Sequence, residues 1–340
     1  MSRVKKRSTN RDVAELAGVS TAVVSYVFND GPRPVSAEIR TRVLEAAQAL
    51  DYHPSAIARG LRKQTSSTIG FIVKDFTPKN TFLYPYTAGI LTGLVDELKQ
   101  HDHYLIVFPI GVGESVEQLR DLLRERRLDG VVVRFPDTPS ADDQLLELLA
   151  SSRLPSVFFE RTIANHPSIT IDEVTGATLA TEYLIQQGHR RIAHIVGDLR
   201  MQSARTRLDS YTQTLSRYGI PYDPELVQGR SWYARDGAEA AHRLFDLAQT
   251  PTAIFAANDT LAYSAIQVAH ERGLCVPQDV AILGYDDAPV ENAMSSSLTT
   301  MQIPLEDMGR QAAKMILQLV AGETIESLVF TPKLVKRHTA

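Results

Sequence analysis

A single cysteine, Cys275, stands among 340 residues. It excludes an intrachain disulfide and a cysteine-based zinc site, and it fits a reducing cytoplasm. No apolar run approaches the roughly 18 residues that span a bilayer, so no membrane segment is expected. The amino-terminal Met1-Ser-Arg-Val-Lys-Lys-Arg7 is basic but leads into no apolar stretch, which excludes a secretory signal. Glycine (19) and proline (17) stay near ordinary usage, so collagen-like and linker-rich chains are excluded. What remains, 44% hydrophobic and 22% charged, is a globular composition. The chain is too long for one ordinary domain of about 100–200 residues.

The net charge of −4 hides an asymmetry. Residues 1–66 carry eleven Lys/Arg against six acids, and the remainder carries 25 against 34. A basic head for a polyanion is one reading of this split, and an ordinary basic tail is the other.

Thr9-Asn-Arg-Asp12 has the form of a capping box, with Asp in place of Glu. Val13, Leu16 and Ala17 follow at helical spacing, and Gly18 supplies a turn. Ser20 suits the N-cap of a second helix whose Val23, Val24 and Val27 face inward. Thr21, Ala22, Ser25, Tyr26 and Asn29 then lie on its other side. Two helices joined by a short Gly-containing turn form a helix-turn-helix, whose second helix enters the DNA major groove. After the loop of residues 29–34, Ser36 caps a third helix with Ile39, Val43, Leu44, Ala47 and Leu50 on its buried face. Residues 54–63 predict a fourth helix. Its roughly ten residues fall short of the ~12–15 that stand alone in water, and Gly60 weakens it by about 1 kcal/mol more. It is a candidate switch between head and body.

Asp12-Val-Ala-Glu-Leu-Ala-Gly-Val-Ser20, Val24-Ser25, Asn29, Val35-Ser36, Arg40-x-Arg-Val43, Tyr52-x-Pro54 and Ala58-Arg-Gly-Leu61 occur in order. This string closely resembles the DNA-binding head of the lac repressor type (LacI/GalR) family of bacterial transcription regulators. The resemblance implies that Thr21, Ala22 and Tyr26 face base edges. It implies that Leu61, with its dimer mate, wedges into the minor groove. Thr9, Ser20, Ser25, Asn29 and Arg33 would hold phosphates. Tyr26 departs from the Arg or His of several members and offers no bidentate reading of guanine.

From Thr68 onward, short apolar runs alternate with amphipathic stretches. Strands are expected at 69–73, 104–108, 130–133, 156–159, 169–171, 192–196, 253–256 and 280–283. Helices are expected near 87–100, 116–126, 142–151, 174–187, 204–218, 235–247, 259–271 and 305–321. Such alternation implies parallel sheets, and its length implies two lobes. The expected fold is a small all-α helix-turn-helix head plus an α/β body of two doubly wound parallel-sheet lobes, of periplasmic-binding-protein type. The head with its hinge spans 1–66 and the effector-binding, dimerising body 67–340. Lobe one takes about 67–162 and 300–325, and lobe two about 163–299 and 326–340. Ligands of such sheets bind beyond the carboxyl ends of strands.

The polar residues there include Arg207, Asn258, Asp259 and Asp286, with Trp232 the sole tryptophan. An Arg fork, amide and carboxyl groups and an aromatic face suit a hydroxyl-rich ligand. Plain alternatives compete: an N-cap for Asp259, a core or surface aromatic for Trp232, a helix-surface ion pair for Arg207. The body also resembles the same family through Gln187-Gly-His-Arg-Arg-Ile192, Ser203-Ala-Arg205-x-Arg207, Ala256-Ala-Asn258-Asp259, Gly284-Tyr-Asp-Asp287 and Leu298-Thr-Thr300. The resemblance implies effector contacts from Arg207, Asn258 and Asp286, with Trp232 stacking on the ligand. In lobe one the candidates are Phe82, in a loop that departs from the family's Asn-Pro-Phe-Phe pattern, and Phe158.

Catalytic signatures fail. Gly111-Val-Gly113 lacks the third glycine of a dinucleotide loop, and His101 and His103 stand without further ligands. Asp286 and Asp287 are adjacent, so in extended chain they point apart. The expected protein is not an enzyme and takes no cofactor and no metal. The resemblance implies a repressor in the bacterial cytoplasm, nucleoid-associated, a homodimer on a near-palindromic double-stranded operator, switched by a small-molecule effector of carbohydrate type. Leu61→Ala is expected to weaken operator binding in a gel-shift titration while ligand affinity stays unchanged; loss of both would contradict this division of labour.

Overall fold

The structure, a computed structural model, describes residues 8–29, 34–53, 65–74, 85–111, 115–134, 143–288 and 297–340. Two compact units are present, Met1–Ser67 and Thr68–Ala340. The proposed hinge at 54–63, with Leu61, lies outside the described residues, as do Arg33, Phe82 and the side chain of Asn29.

The first unit holds α1 (Asn10–Ala17), α2 (Thr21–Asn29) and α3 (Ala37–Ala49). The capping box closes as the sequence predicts: the Thr9 N–H donates to Asp12 Oδ2 at 2.7 Å, and the Asp12 N–H to Thr9 Oγ1 at 3.4 Å. Gly18 ends α1 at φ +64°, a conformation that costs other residues a Cβ clash. Val13, Val24 and Val43 are fully buried in one small core with Val27, Ala46 and Ala47. Each such valine is worth roughly 1.5–3 kcal/mol. Leu16 and Leu44, expected inside, are 56% and 45% exposed. The small residues Ala14, Ala17, Ala46 and Ala47 bring the helices close and leave no seat for the two leucines.

The second unit has two six-stranded sheets among its described residues. In the first, β1 (Thr68–Lys74), β2 (Tyr104–Ile110), β3 (Gly130–Arg134), β4 (Ser156–Phe159) and β5 (Ser168–Ile171) run in the order β2-β1-β3-β4-β5. The second repeats that order with β6 (Ile192–Ile195), β7 (Val227–Gln228), β8 (Ala253–Ala256), β9 (Ala281–Asp286) and β10 (Thr299–Gln302), as β7-β6-β8-β9-β10. Each lobe is therefore doubly wound, with a topological switch beside its first strand. The tail completes both sheets: β11 (Leu328–Phe330) lies parallel to β5, and β12 (Lys333–Val335) antiparallel to β10. Helices α4 (Pro85–Gln100), α5 (Glu117–Arg124), α6 (Asp143–Ser152), α7 (Glu173–Gln186), α8 (Gln202–Arg217), α9 (Ala234–Phe245), α10 (Asp259–Glu271) and α11 (Leu305–Val320) cover the sheets.

The pairings move the expected lobe boundaries. Ser168–Ile171 and Leu328–Phe330 belong to the first lobe, because β5 pairs with β4 and β11 with β5. Residues 299–302 belong to the second, since β10 pairs with β9. The chain thus crosses between lobes three times: at Asp172, after β10, and between β11 and β12.

Helices α4 and α11 touch through small residues. A Cβ at Gly93 would strike the carbonyl oxygen of Glu306, and one at Gly309 the carbonyl of Ile90. Backbone cannot step aside, so overpacking costs about 1–3 kcal/mol. That exceeds the roughly 1 kcal/mol of helix propensity an alanine gains over glycine. Gly93→Ala is expected to lower the melting midpoint of the body by several degrees in calorimetry. An unchanged midpoint would show that these helices separate without cost.

Candidate functional site

In the first unit, Thr21 and Ala22 are exposed and Ser25 and Tyr26 half-buried. Helical spacing puts the four on one side of α2, opposite Val24 and Val27. Two of the expected phosphate contacts also have structural duties. The Thr9 hydroxyl donates to Asp12 Oδ2 at 2.8 Å, and Ser20 Oγ accepts the Val23 N–H at 3.3 Å. Arg42 donates to the Ala17 carbonyl at 3.0 Å and ties α3 to the end of α1.

In the second unit a cleft of about 450 Å³ lies beyond the carboxyl ends of the strands. Lobe one contributes Arg134 at the end of β3, Glu160 just past β4, and Tyr86 on α4. Lobe two contributes Arg207 from α8, Asp286 at the end of β9, and Trp232 before α9. Glu173, the first residue of α7, stands where the chain passes between them.

Arg207 is almost wholly buried and makes a forked pair with Glu173: Nε to Oε2 at 2.8 Å and Nη2 to Oε1 at 2.9 Å. Its Nη1 donates to the Ala257 carbonyl. The guanidinium lies 3.7 Å from the centre of the Tyr285 ring, whose hydroxyl donates to Glu173 Oε2 at 2.9 Å. The indole of Trp232 is 5.6 Å away, with its N–H directed to Met201 Sδ. Across the cleft, Arg134 Nε donates to Glu160 Oε1 at 3.1 Å and Nη1 to Thr87 Oγ1 at 3.2 Å. The second Glu160 oxygen, Oε2, is buried and accepts no hydrogen bond among the described residues.

Glu160 (φ +69°) and Asp286 (φ +114°) both adopt left-handed backbone, a cost that persists where surrounding structure imposes it. Burial holds the Asp286 carboxyl well above the carboxylate range. The Arg207 charge pulls it back, and Asp259 and Glu173 push further upward. Burial also keeps the His194 imidazole neutral, down to about 4.

Three expectations need correction. Phe158 is fully buried away from the cleft, among Ile72, Val131 and Leu145, with its ring edge-on to His166 at 5.1 Å. Neighbours on a strand face opposite sides, and both faces of this sheet are covered, so Phe158 and Phe159 each enter a core. Asn258, not Asp259, caps α10: its Oδ1 accepts the Leu261 N–H at 2.8 Å, and its Nδ2 reaches the Trp232 carbonyl at 3.4 Å. Asn258 therefore stands behind the wall of the cleft. Asp259 accepts from the Thr300 hydroxyl at 2.6 Å and the Ala288 N–H at 3.1 Å. Sequence reasoning missed Tyr86, Arg134, Glu160 and Glu173. Arg134 and Glu160 carried a usable signal, a charged residue directly after an apolar strand.

Among the described residues no group of three or more His, Cys, Asp or Glu could hold a metal ion, and no helix is long and apolar enough to cross a membrane.

A helix-turn-helix unit and a two-lobed body with a polar, aromatic-lined cleft define a DNA-binding regulator that carries its own small-molecule site. Residues 9–55 match the model of bacterial regulatory proteins of the lacI family, and residues 181–340 that of the periplasmic binding protein-like domain. The chain is 32% identical to the ribose operon repressor of Haemophilus influenzae, over 98% of both chains. It is similar to the transcriptional regulator CelR in complex with cellobiose (TM-score 0.72, 31% identity, 98% and 100% of the two chains). It is also similar to the lac repressor dimer bound to operator and the anti-inducer ONPF (TM-score 0.82, 27% identity, 98% and 99%). The chain belongs to the lacI family of bacterial regulatory proteins. It is a transcriptional regulator whose hold on DNA answers to a small ligand.

Burial raises the Asp259 carboxyl to about 7, against the pull of Thr300 and Ala288. The native state thus keeps a proton that an unfolded aspartate releases near pH 4. Between about pH 4 and 7 the native state binds more protons, so this contribution to stability falls as pH rises. Asp259→Asn is expected to flatten the stability profile between about pH 4 and 7, read by thermal unfolding. An unaltered slope would assign it to other groups.

Proposed function

We propose that the chain is a transcriptional repressor that grips a near-palindromic operator as a homodimer and is switched by a saccharide held between the lobes of its body. The observation that carries the ligand class is the pairing of Trp232 and Arg207 on lobe two with Arg134 and Glu160 on lobe one. An indole face suits the C–H side of a sugar ring, and buried guanidinium and carboxyl groups suit adjacent hydroxyls. The CelR–cellobiose complex and the name of the ribose operon repressor support this class. The operator-bound lac repressor dimer supports two heads on two half-sites.

In this reading Thr21, Ala22 and Tyr26 meet base edges. Thr9, Ser20, Ser25, Asn29 and Arg33 meet phosphates, and Leu61 enters the minor groove. Arg207, Trp232 and Asp286 touch the effector, while Asn258 positions Trp232. The protein acts in the bacterial cytoplasm, at the nucleoid, and turns over no substrate. A ligand that bridges both lobes shifts operator affinity only through unequal affinity for the two states of the body.

Two substitutions separate the functions. Tyr26→Ala is expected to weaken operator binding by about tenfold or more, the scale of one lost base contact, with saccharide binding unchanged. Trp232→Ala is expected to keep ligand-free operator affinity and to raise the saccharide concentration needed for response about tenfold or more. Both are read by fluorescence anisotropy of labelled operator. If Trp232→Ala responds like the parent chain, the indole is no part of the site.

A further inference from the structure

We propose that the effector is uncharged, with hydroxyl or N–H donors, and that the cleft rejects phosphate esters and other anions. The inference rests on reading this cleft as the effector site. Anion sites in proteins work through cationic side chains whose charge is available to the ligand. Here the two arginines best buried in the cleft are already matched. Arg207 and Glu173 have side chains 5% and 13% exposed, and so do Arg134 and Glu160. The forked geometry at Glu173 commits both carboxylate oxygens and two guanidinium N–H groups to each other. Among the described residues three arginines line the cleft, and even without Asp286, whose carboxyl burial holds above the carboxylate range, they face three carboxylates, Glu160, Asp172 and Glu173. The described lining therefore offers no surplus of positive charge.

Glu160 adds a positive requirement. Its buried Oε2 lacks a donor among the described residues, and such an oxygen is costly to leave unmatched. A ligand hydroxyl or N–H can supply that donor. A deprotonated phosphate cannot, and it would meet Glu160 and Glu173 as like charges. The first turn of α8, where Met201 makes no side-chain cap, and the guanidinium of Arg161 also line the cleft and could face an anion. Helix-terminal N–H groups serve neutral hydroxyl oxygens as well, so this feature does not oppose the rest.

The test uses the full chain, titrated with neutral mono- and disaccharides, with the phosphate esters of the same sugars, and with neutral nucleobases. Binding is read by the fluorescence of Trp232, the only tryptophan, and by release or tightening on operator. The expected result is a neutral compound that acts and a phosphate ester that binds about tenfold or more weakly, the scale of one added charge conflict. An ester that binds as tightly as its parent sugar overturns the proposal. A nucleobase that acts where no sugar does overturns the saccharide reading alone and leaves the charge rule standing. Glu173→Gln releases the charge of Arg207, and Glu160→Gln that of Arg134 from the opposite lobe. Either variant is expected to narrow the gap between ester and parent sugar by about tenfold. If neither folded variant narrows it, pairing is not what excludes anions.

Discussion

The body depends on the pair of Arg207 with Glu173. Taking both charges out of water costs several kcal/mol each, and a single contact would not repay it. The fork does, reinforced by the Tyr285 hydroxyl on Glu173, the Ala257 carbonyl on Arg207, and the Tyr285 ring under the guanidinium. The pair joins the start of α7, just past a lobe crossing, to α8 and β9. Removing one member strands the other, at about 3–5 kcal/mol. Arg207 is thus a structural member as well as a lining residue of the cleft, and truncating it would confound the two. Trp232 is the cleaner probe, because its indole packs at the edge of a core that Leu261 and Ala262 fill without it.

Lobe one solves the same problem differently. Its arginine, Arg134, leaves the end of β3 and finds Glu160 just past β4, with Tyr86 and Thr87 from α4 beside it. The two sheets share one strand order, and residues past the strand ends of both line one cleft. On the proposed reading, a sugar ring between them would meet, from both sides, groups whose geometry is set in advance. Such preparation lowers the ordering cost of binding. It also ties affinity to the separation of the lobes, which any coupling to DNA requires.

Much of this was legible in the sequence. Every α-helix over described residues stands within a few positions of its expected span, because 3.6-residue periodicity and caps such as Thr9 and Ser36 are local signals. The strands β7, β11 and β12 have only two or three residues, and β10, as long as β4 or β8, is Thr299-Thr-Met-Gln302, too polar to read as an apolar run. The lobe boundaries moved because sequence spacing does not show which sheet β5, β10 and β11 join. In the cleft, lobe two was readable from polar residues past strand ends, and Arg207, Trp232 and Asp286 do line it. The same rule, applied to Arg134 and Glu160, would have outperformed the aromatic choice of Phe158, which strand alternation sends into a core. Glu173 reads as an ordinary acid in a helix's first turn, and nothing local reveals an arginine 34 residues on.

The shared tail sets the order in which the molecule can be built. Leu328 pairs with Ile169 and Leu334 with Met301, so each sheet takes its last strand from one short stretch near residue 330. Until that stretch leaves the ribosome, β5 and β10 present bare strand edges, the kind that invite pairing between nascent chains. Among the described residues the helix-turn-helix core draws on nothing beyond Tyr52, so it matures early. An emerging polypeptide therefore folds its helix-turn-helix long before it owns the module that governs it.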